Sequence, residues 1–238
     1  IRAIMNGFYQ GFLDAVMKVQ SKMYGYYLID DVLTDEVMEE INRVVRDKTL
    51  EYRKAQSNDP DKCDGGNENV LKISREALSY AMAAQITRED RLLTLKLLSN
   101  HYDVKLYSGD KDDLLDRVRH MGAVDYDTEM PKVFKCSDIN LNMTLRCIRS
   151  GIPLRALDIM GAGGFLLSNY QHELAESFID GEEMVMYDSI EDMYEKAGFY
   201  LRNPDSRMKI AARGHDRVLD DYRYEDRIDG MLRMAGIR

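Results

Sequence analysis

Gly151-Ile152-Pro153-Leu154-Arg155-Ala156-Leu157-Asp158-Ile159-Met160-Gly161-Ala162-Gly163-Gly164-Phe165-Leu166-Leu167-Ser168 decides the fold. It reads as a short helix that ends in glycines and passes directly into a buried strand. Pro153 suits the first turn of a helix, where a missing N–H costs nothing. The glycines suit a helix end that must turn at once. Arg155 and Asp158 are the only charged residues between Gly151 and Ser168, and they lie about one helical turn apart. A cation and a carboxylate near a helix start offer charge for a diphosphate and an acceptor for ribose hydroxyls.

The order of elements separates this stretch from a dinucleotide fingerprint. That fingerprint places its glycines after a strand and before a helix. Here Gly161-Ala162-Gly163-Gly164 follows the helix and precedes the strand. The pattern therefore argues against an NAD or FAD site, and the helix entered through Ser150-Gly151-Ile152-Pro153 is the better phosphate candidate.

Working outward, the C-terminal part alternates strands and helices. Val104 to Tyr107, Gly122 to Tyr126, Ile139 to Met143, the run at Phe165 and Glu183 to Tyr187 read as five strands. Helices are expected at Lys111–His120, from Pro131 to Ser137, over the Pro153 stretch, and at Glu173–Phe178. Three more are expected at Ile190–Leu201, Asp205–Tyr222 and Tyr224–Met234. Such alternation predicts an α/β fold with a Rossmann-like parallel sheet covered on both faces. Ligands bind such sheets at the carboxyl ends of the strands. That edge would gather Ser108, Gly109, Val124 to Tyr126, Asn142 and the start of the Pro153 helix.

The first hundred residues read as helical. Ile4, Phe8, Phe12, Val16 and Val19 form one stripe, with Tyr24, Tyr26 and Tyr27 packing after it. Thr34-Asp35-Glu36 is a helix start, followed by Val37, Ile41, Val44 and Val45. Ser57 to Asn67 is a polar loop. Val70–Gln85 and Arg88–Asn100 read as two helices, with Thr87 and Asp90 resembling a capping box between them. The domain expectation is a helical region at 1–100 and a Rossmann-like nucleotide-sugar-binding domain at 101–238.

Composition narrows the function. With 238 residues the chain is long enough for a substantial core. The formal net charge of -9 argues against a nucleic-acid surface. Three widely spaced cysteines, Cys63, Cys136 and Cys147, contain no C-x-x-C pair and suggest a reduced, cytoplasmic setting. No apolar run approaches the roughly 20 residues of a transmembrane helix. The chain opens at Ile1 without a methionine and is read as a fragment.

Each candidate side chain has a plainer alternative. Asp158 either accepts both ribose hydroxyls or lies on a solvated helix face. Arg155 either binds diphosphate or forms a salt bridge with Asp158 or a neighbouring acid. Asn142 either reaches a ligand or ends its strand, and Tyr126 either stacks on a base or packs at the sheet edge. His101, His120, His172 and His215 lack metal-ligand spacing and are read as surface residues. Cys136 and Cys147 are expected to pack as small apolar groups, and Met184, Met186 and Met193 as core. No nucleophile–base constellation and no Walker loop is present, so catalytic residues are not assigned.

From about Thr87 onward the chain resembles the C-terminal half of GT-B glycosyltransferases, in particular the bacterial spore-maturation-type (CgeB-like) group. Four segments carry the likeness: Val104 to Gly109, Ile139 to Thr144, Gly151 to Ser168, and Arg207 to Arg227 with its Gly214 and Tyr222. The helical region before Thr87 looks like the extension that this group carries. The resemblance implies a nucleotide-diphosphate sugar as donor substrate, with no further cofactor and no metal, and an acceptor and oligomeric state that the sequence leaves open. In the wider family an acid followed five positions on by glycine binds the donor ribose, and Asp158 and Gly163 match that spacing. Ser150 stands where a second acid usually contacts the sugar. Arg155 would face the diphosphate, Val124 to Tyr126 would hold the base, and Ser108 and Asn142 would line the same edge. The resemblance also places the family's N-terminal half, and the first strand of the donor half, before Ile1. Two other readings stand beside it: a non-catalytic α/β interaction module, and a flavodoxin-like binder of small phosphorylated ligands.

Overall fold

The computed structural model describes residues 8–56 and 72–237. They form two compact units that divide between Ile86 and Thr87.

The first unit is helical. It contains α1 (Phe8–Gln20), α2 (Leu28–Val32), α3 (Asp35–Gln56) and the first part of α4 (Arg75–Ser99). The buried face of α1 is Leu13, Val16 and Gln20, while Val19 is half exposed. This corrects the expected stripe, and Gln20 supplies the reason. Its amide turns inward and donates to the carbonyl oxygens of Tyr26 at 2.6 Å and Met23 at 3.1 Å, holding the chain that follows. Tyr26 is bound through its backbone, and its ring faces outward. Thr34 caps α3 as expected, accepting from Val37 N at 3.4 Å. Ile41 and Val45 are fully buried beside Met38. Ile4, the polar loop from Ser57 to Asn67 with Cys63, and the start of the Val70 run lie outside the described residues.

Two expected helices are one. Helix α4 runs without a break through Thr87 and Asp90. Those side chains do not cap a new helix. Thr87 Oγ1 accepts from the backbone N–H of Arg146 at 3.0 Å, and the Asp90 carboxylate pairs with the Arg146 guanidinium at 2.8 Å. A local capping pattern was satisfied instead by a distant partner.

The second unit carries five strands among the described residues, all parallel, in two ladders. Strand β1 (Lys105–Leu106) pairs with β2 (Arg119–His120). The Lys111–His120 segment is therefore not a helix. Asp112 Oδ1 takes the N–H of Leu114 in a side-chain turn, and Arg119 N and Met121 N donate to the carbonyls of Val104 and Leu106. The strand expected at Gly122–Tyr126 lies upstream, at Arg119–His120. Helix α5 (Met130–Cys136) leads to β3 (Asn140–Asn142), α6 (Leu154–Gly161), β4 (Leu166–Asn169), α7 (His172–Ser177) and β5 (Val185–Tyr187). The ladder order is β3-β4-β5, with Asn140 opposite Leu166 and Leu167 opposite Val185. Strand β4 is central, and all four of its residues are buried. Its continuous Leu-Leu run fits a parallel strand covered on both faces. Helices α8 (Ile190–Arg202), α9 (Pro204–Asp221) and α10 (Tyr224–Met234) complete the unit.

The glycine turn after α6 is a Schellman ending. Gly163 N donates to Met160 O at 2.8 Å and Gly164 N to Ile159 O at 2.9 Å, with Gly163 at φ +75. Gly164 then admits a close crossing: a Cβ there would stand 2.6 Å from Phe134 O. Ala156, Ile159 and Met160 of α6 are buried in a core with Met130, Phe134, Leu166, Met184, Met186 and Val218. Met184, Met186 and Met193 are core, as expected. Cys136 is exposed, contrary to expectation, because it ends α5 on the side away from Met130 and Phe134. No helix among the described residues is long and apolar enough to cross a membrane.

Candidate functional site

Helix α6 and the loop before it define the site. Parallel strands place all three C-terminal ends of β3, β4 and β5 on one edge, and α6 begins above that edge. Its N-cap is Pro153, in extended conformation, so the first N–H groups of the helix lack a side-chain cap. Arg155 and Asp158 project from the first turns, with Ala156, Ile159 and Met160 locking the opposite face into the core.

Asp158 does not pair with Arg155. Its Oδ2 accepts a hydrogen bond from the Tyr126 phenol, and the Arg155 guanidinium lies 5.9 Å from the Tyr126 ring centroid. Tyr126 thus bridges the two charged groups of α6. The hydrogen bond to Asp158, followed by partial burial and the carboxylate's charge, pushes the Tyr126 phenol above its ordinary value. Tyr126 remains 46% exposed. Its backbone is set by the neighbouring Asp125, whose Oδ1 accepts from Thr128 N at 2.8 Å and Thr128 Oγ1 at 2.6 Å. Val124 is half-buried against the core that holds α6.

Sequence reasoning missed Arg91. This residue of α4 donates from Nη2 to Met143 O at 2.7 Å, just beyond the end of β3. Arg91 is exposed, and partial desolvation, then the positive charge of Arg155, lower its pKa from the ordinary arginine value. Two guanidiniums therefore share the field at the strand edge. Among the described residues neither forms an ion pair with a carboxylate. Two cations within range of one another's field are suited to a polyanion. Nothing in the local pattern around Arg91 separates it from Arg88, because its role depends on where α4 crosses β3.

A buried polar network supports the edge. Asn142 donates from its amide to Thr144 Oγ1 at 3.0 Å and Ser168 Oγ at 2.9 Å, and Asn169 Oδ1 accepts from Thr144 N at 2.9 Å. Asn142 is 5% exposed and commits both amide hydrogens inside the protein. With Arg146 bound to Asp90 and Thr87, this network holds the first residues of the β3–α6 connection. Asp90 pays for that place: desolvation raises its carboxyl above the ordinary value, more than the attraction of Arg146 lowers it.

The remaining candidates sit apart from the Tyr126–Arg155–Asp158 trio. Ser108 Oγ accepts from Asp110 N at 3.2 Å in the turn after β1. Gly163 is the left-handed residue of the α6 ending. His120 and His215 contact backbone carbonyls of Asp110 and Met160 through ring nitrogens, and His101 and His172 lie at the surface. A cavity of about 420 Å³ opens beside the ends of β1 and β2, lined by Leu106, Leu115 and His120 together with Lys111 and the carboxylates of Asp112, Asp113 and Asp116. Three carboxylates against one lysine give it a net negative lining, unsuited to a diphosphate. Among the described residues, no three His, Cys, Asp or Glu side chains converge as metal ligands would.

Comparison with known proteins adds one finding. A family model described as glycosyl transferase-like matches residues 75–233, from the start of α4 to the end of α10. No curated protein matches the chain.

Proposed function

The chain belongs to the glycosyl transferase-like family, and on that premise we propose that it is the donor-binding half of a GT-B enzyme of the spore-maturation-type (CgeB-like) group, bacterial and cytoplasmic. The reaction moves a sugar from a nucleotide diphosphate to an acceptor. The bond from the anomeric carbon to the diphosphate oxygen breaks, and its electron pair stays on the departing diphosphate. Arg155 and Arg91 neutralise that growing charge from fixed positions, so the stabilisation needs no reorganisation at the moment of reaction. Asp158 holds the donor ribose and so orients the anomeric carbon. The exposed Tyr126, close in sequence to Val124, receives the base. Asn142 acts through the buried network, keeping the strand edge and the α6 entry in place, and Ser108 lines the neighbouring turn.

One observation carries this reading: α6 presents the Arg155 guanidinium against the Tyr126 ring and the Asp158 carboxylate against its hydroxyl, while Arg91 is tied to Met143 O just beyond β3, and neither arginine has a carboxylate ion-pair partner among the described residues. That is the charge pattern of a nucleoside diphosphate, negative at the phosphates and hydroxyl-rich at the ribose. A neutral ligand would not require both arginines.

Calorimetric titration with UDP, GDP, ADP and TDP tests the assignment. One diphosphate should bind, and Asp158→Ala and Arg155→Ala should each weaken it at least about tenfold, the scale of a lost charge-assisted contact. Full diphosphate affinity in Arg155→Ala would remove the assigned role. Binding of a phosphorylated ligand without a nucleoside, unaffected by Asp158→Ala, would replace the donor reading with that of a small-ligand module.

A further inference from the structure

We infer that Gln171 reads the transferred sugar of the donor: its side-chain amide, uncommitted in the free protein at the carboxyl end of the central strand, hydrogen-bonds a hydroxyl of the sugar carried by the diphosphate. The inference rests on the donor reading above and assigns a specificity-determining contact within that site.

Gln171 follows the end of β4 by two residues, on the strand edge above which α6 begins. Its backbone is fixed. It is extended, and its carbonyl oxygen accepts from Ala175 N at 3.0 Å as α7 begins. The preceding residue, Tyr170, donates its N–H to Tyr187 O at 2.8 Å and packs against the core that holds Ala156 and Ile159 of α6. Tyr187 in turn lies close enough to Arg91 to act on its charge, as Arg155 does. Gln171 is therefore the next residue along from a segment tied both to α6 and to the strand end that shares the field of Arg91.

Its side chain is not fixed in the same way. Oε1 is shielded from solvent and accepts no hydrogen bond, and the amide makes none among the described residues. A sheltered acceptor left unmatched is a cost that native structures rarely carry without a reason. Gln20 Oε1 is in the same state, and there the reason is visible: the nitrogen of that amide holds the carbonyl oxygens of Met23 and Tyr26. Nothing comparable offsets the cost at Gln171. Its polar neighbours on the edge are already engaged. Asn142 gives its amide hydrogens to Thr144 and Ser168, Asn169 Oδ1 accepts from Thr144 N, and Ser168 Oγ donates to Asn169 O.

The chemistry selects the ligand. Diphosphate oxygens only accept, so they cannot satisfy an amide oxygen, whereas a sugar hydroxyl donates as well as accepts and can pair with either amide atom. The last torsion of a glutamine side chain is broad and roughly two-fold, so a half-turn exchanges the sheltered oxygen for the nitrogen without moving the rest of the chain. The division of labour follows: arginines for the phosphates, Asp158 for the ribose, and Gln171 for the sugar beyond them.

The test uses the diphosphate that binds best, titrated beside its glucose, galactose, mannose and N-acetylglucosamine conjugates, on the chain and on Gln171→Met. Methionine keeps the length and removes the unmatched oxygen, so the thermal midpoint should be unchanged or raised. The Kd of the bare diphosphate should stay within about twofold, while at least one conjugate should weaken by about fivefold or more, the scale of one neutral hydrogen bond. An equal effect on the bare diphosphate and on every conjugate, or no effect on any of them, would overturn the inference and leave the donor site in place, since the diphosphate would still bind and still depend on Asp158. A lowered thermal midpoint would also overturn it, by giving the amide a structural role. Failure of every diphosphate to bind the unsubstituted chain would instead overturn the donor reading, and this inference with it.

Discussion

Replacing Asp90 by alanine tests the physical basis of the site more directly than any ligand contact. The Asp90 and Arg146 side chains are 14% and 7% exposed, and Asp90 Oδ2 accepts from both Arg146 Nη2 at 2.8 Å and Nε at 3.3 Å. At that separation two unit charges attract by about 6 kcal/mol at an effective dielectric near 20. Desolvation, with a smaller push from Glu89, outweighs the pull of Arg146 on the carboxyl, which is therefore raised despite its partner. Removing one member leaves the guanidinium buried without its anion, at a typical cost of about 3–5 kcal/mol. Arg146 makes further interactions of its own, so the lower end, about 3 kcal/mol, is the expectation. With a urea slope of about 3 kcal/mol/M, the midpoint should fall by about 1 M. The double variant Asp90→Ala with Arg146→Met removes both charges together and should recover most of the loss. Nucleotide affinity should fall in the single variant, because Arg146 anchors the connection from β3 to α6 through its backbone bond to Thr87. A midpoint shift below about 0.3 M in Asp90→Ala, or a double variant no more stable than the single, would refute the reasoning.

Three further outcomes are expected. Arg91→Gln should weaken the diphosphate that binds by about tenfold while leaving the thermal midpoint unchanged or raised, because the mutual repulsion with Arg155 is relieved; parallel calorimetry and thermal melts report the two effects. Gly164→Ala should destabilise more than Gly163→Ala. The first puts a Cβ 2.6 Å from the rigid Phe134 carbonyl oxygen and 2.7 Å from Asn140 Nδ2. The second meets only the movable end of Lys135 and costs about 1–2 kcal/mol for its left-handed backbone; denaturant midpoints of the two variants decide the order. Because the folded-state value of Tyr126 is raised, its stabilising contribution is complete below the ordinary tyrosine pKa of 10.0 and is lost as pH rises through the raised value. The stability difference between the unsubstituted chain and Tyr126→Phe should therefore be flat near neutrality and shrink in alkali; a difference that stays constant to the limit of alkaline folding would contradict the Tyr126–Asp158 bond.

The sequence by itself determined what depends on near neighbours. Gly161-Ala162-Gly163-Gly164 could be read as a helix end turning into a strand, because a left-handed residue after a helix and a strand with no room for Cβ are local demands. The parallel β3, β4 and β5 were legible because apolar runs separated by short helices leave few other architectures. Arg155 and Asp158 drew attention because they are the sole charges in an apolar stretch. The tertiary structure decided everything that rests on a distant partner. Thr87 and Asp90 look like a helix cap until Arg146, more than fifty residues on, takes both of them. Lys111–His120 has helical composition, yet its end pairs with β1 and its start is a turn around Asp112. Arg91 is one charged residue among several on α4, and only the folded chain brings it to Met143 O, just beyond the end of β3. Tyr126 and Asp158 are separated by thirty-two positions, and the carboxylate that looked free to a reader of the sequence already has one oxygen engaged. Local backbone geometry is written in adjacent residues, whereas charge pairing and hydrogen-bond capacity belong to whichever groups the folded chain brings together.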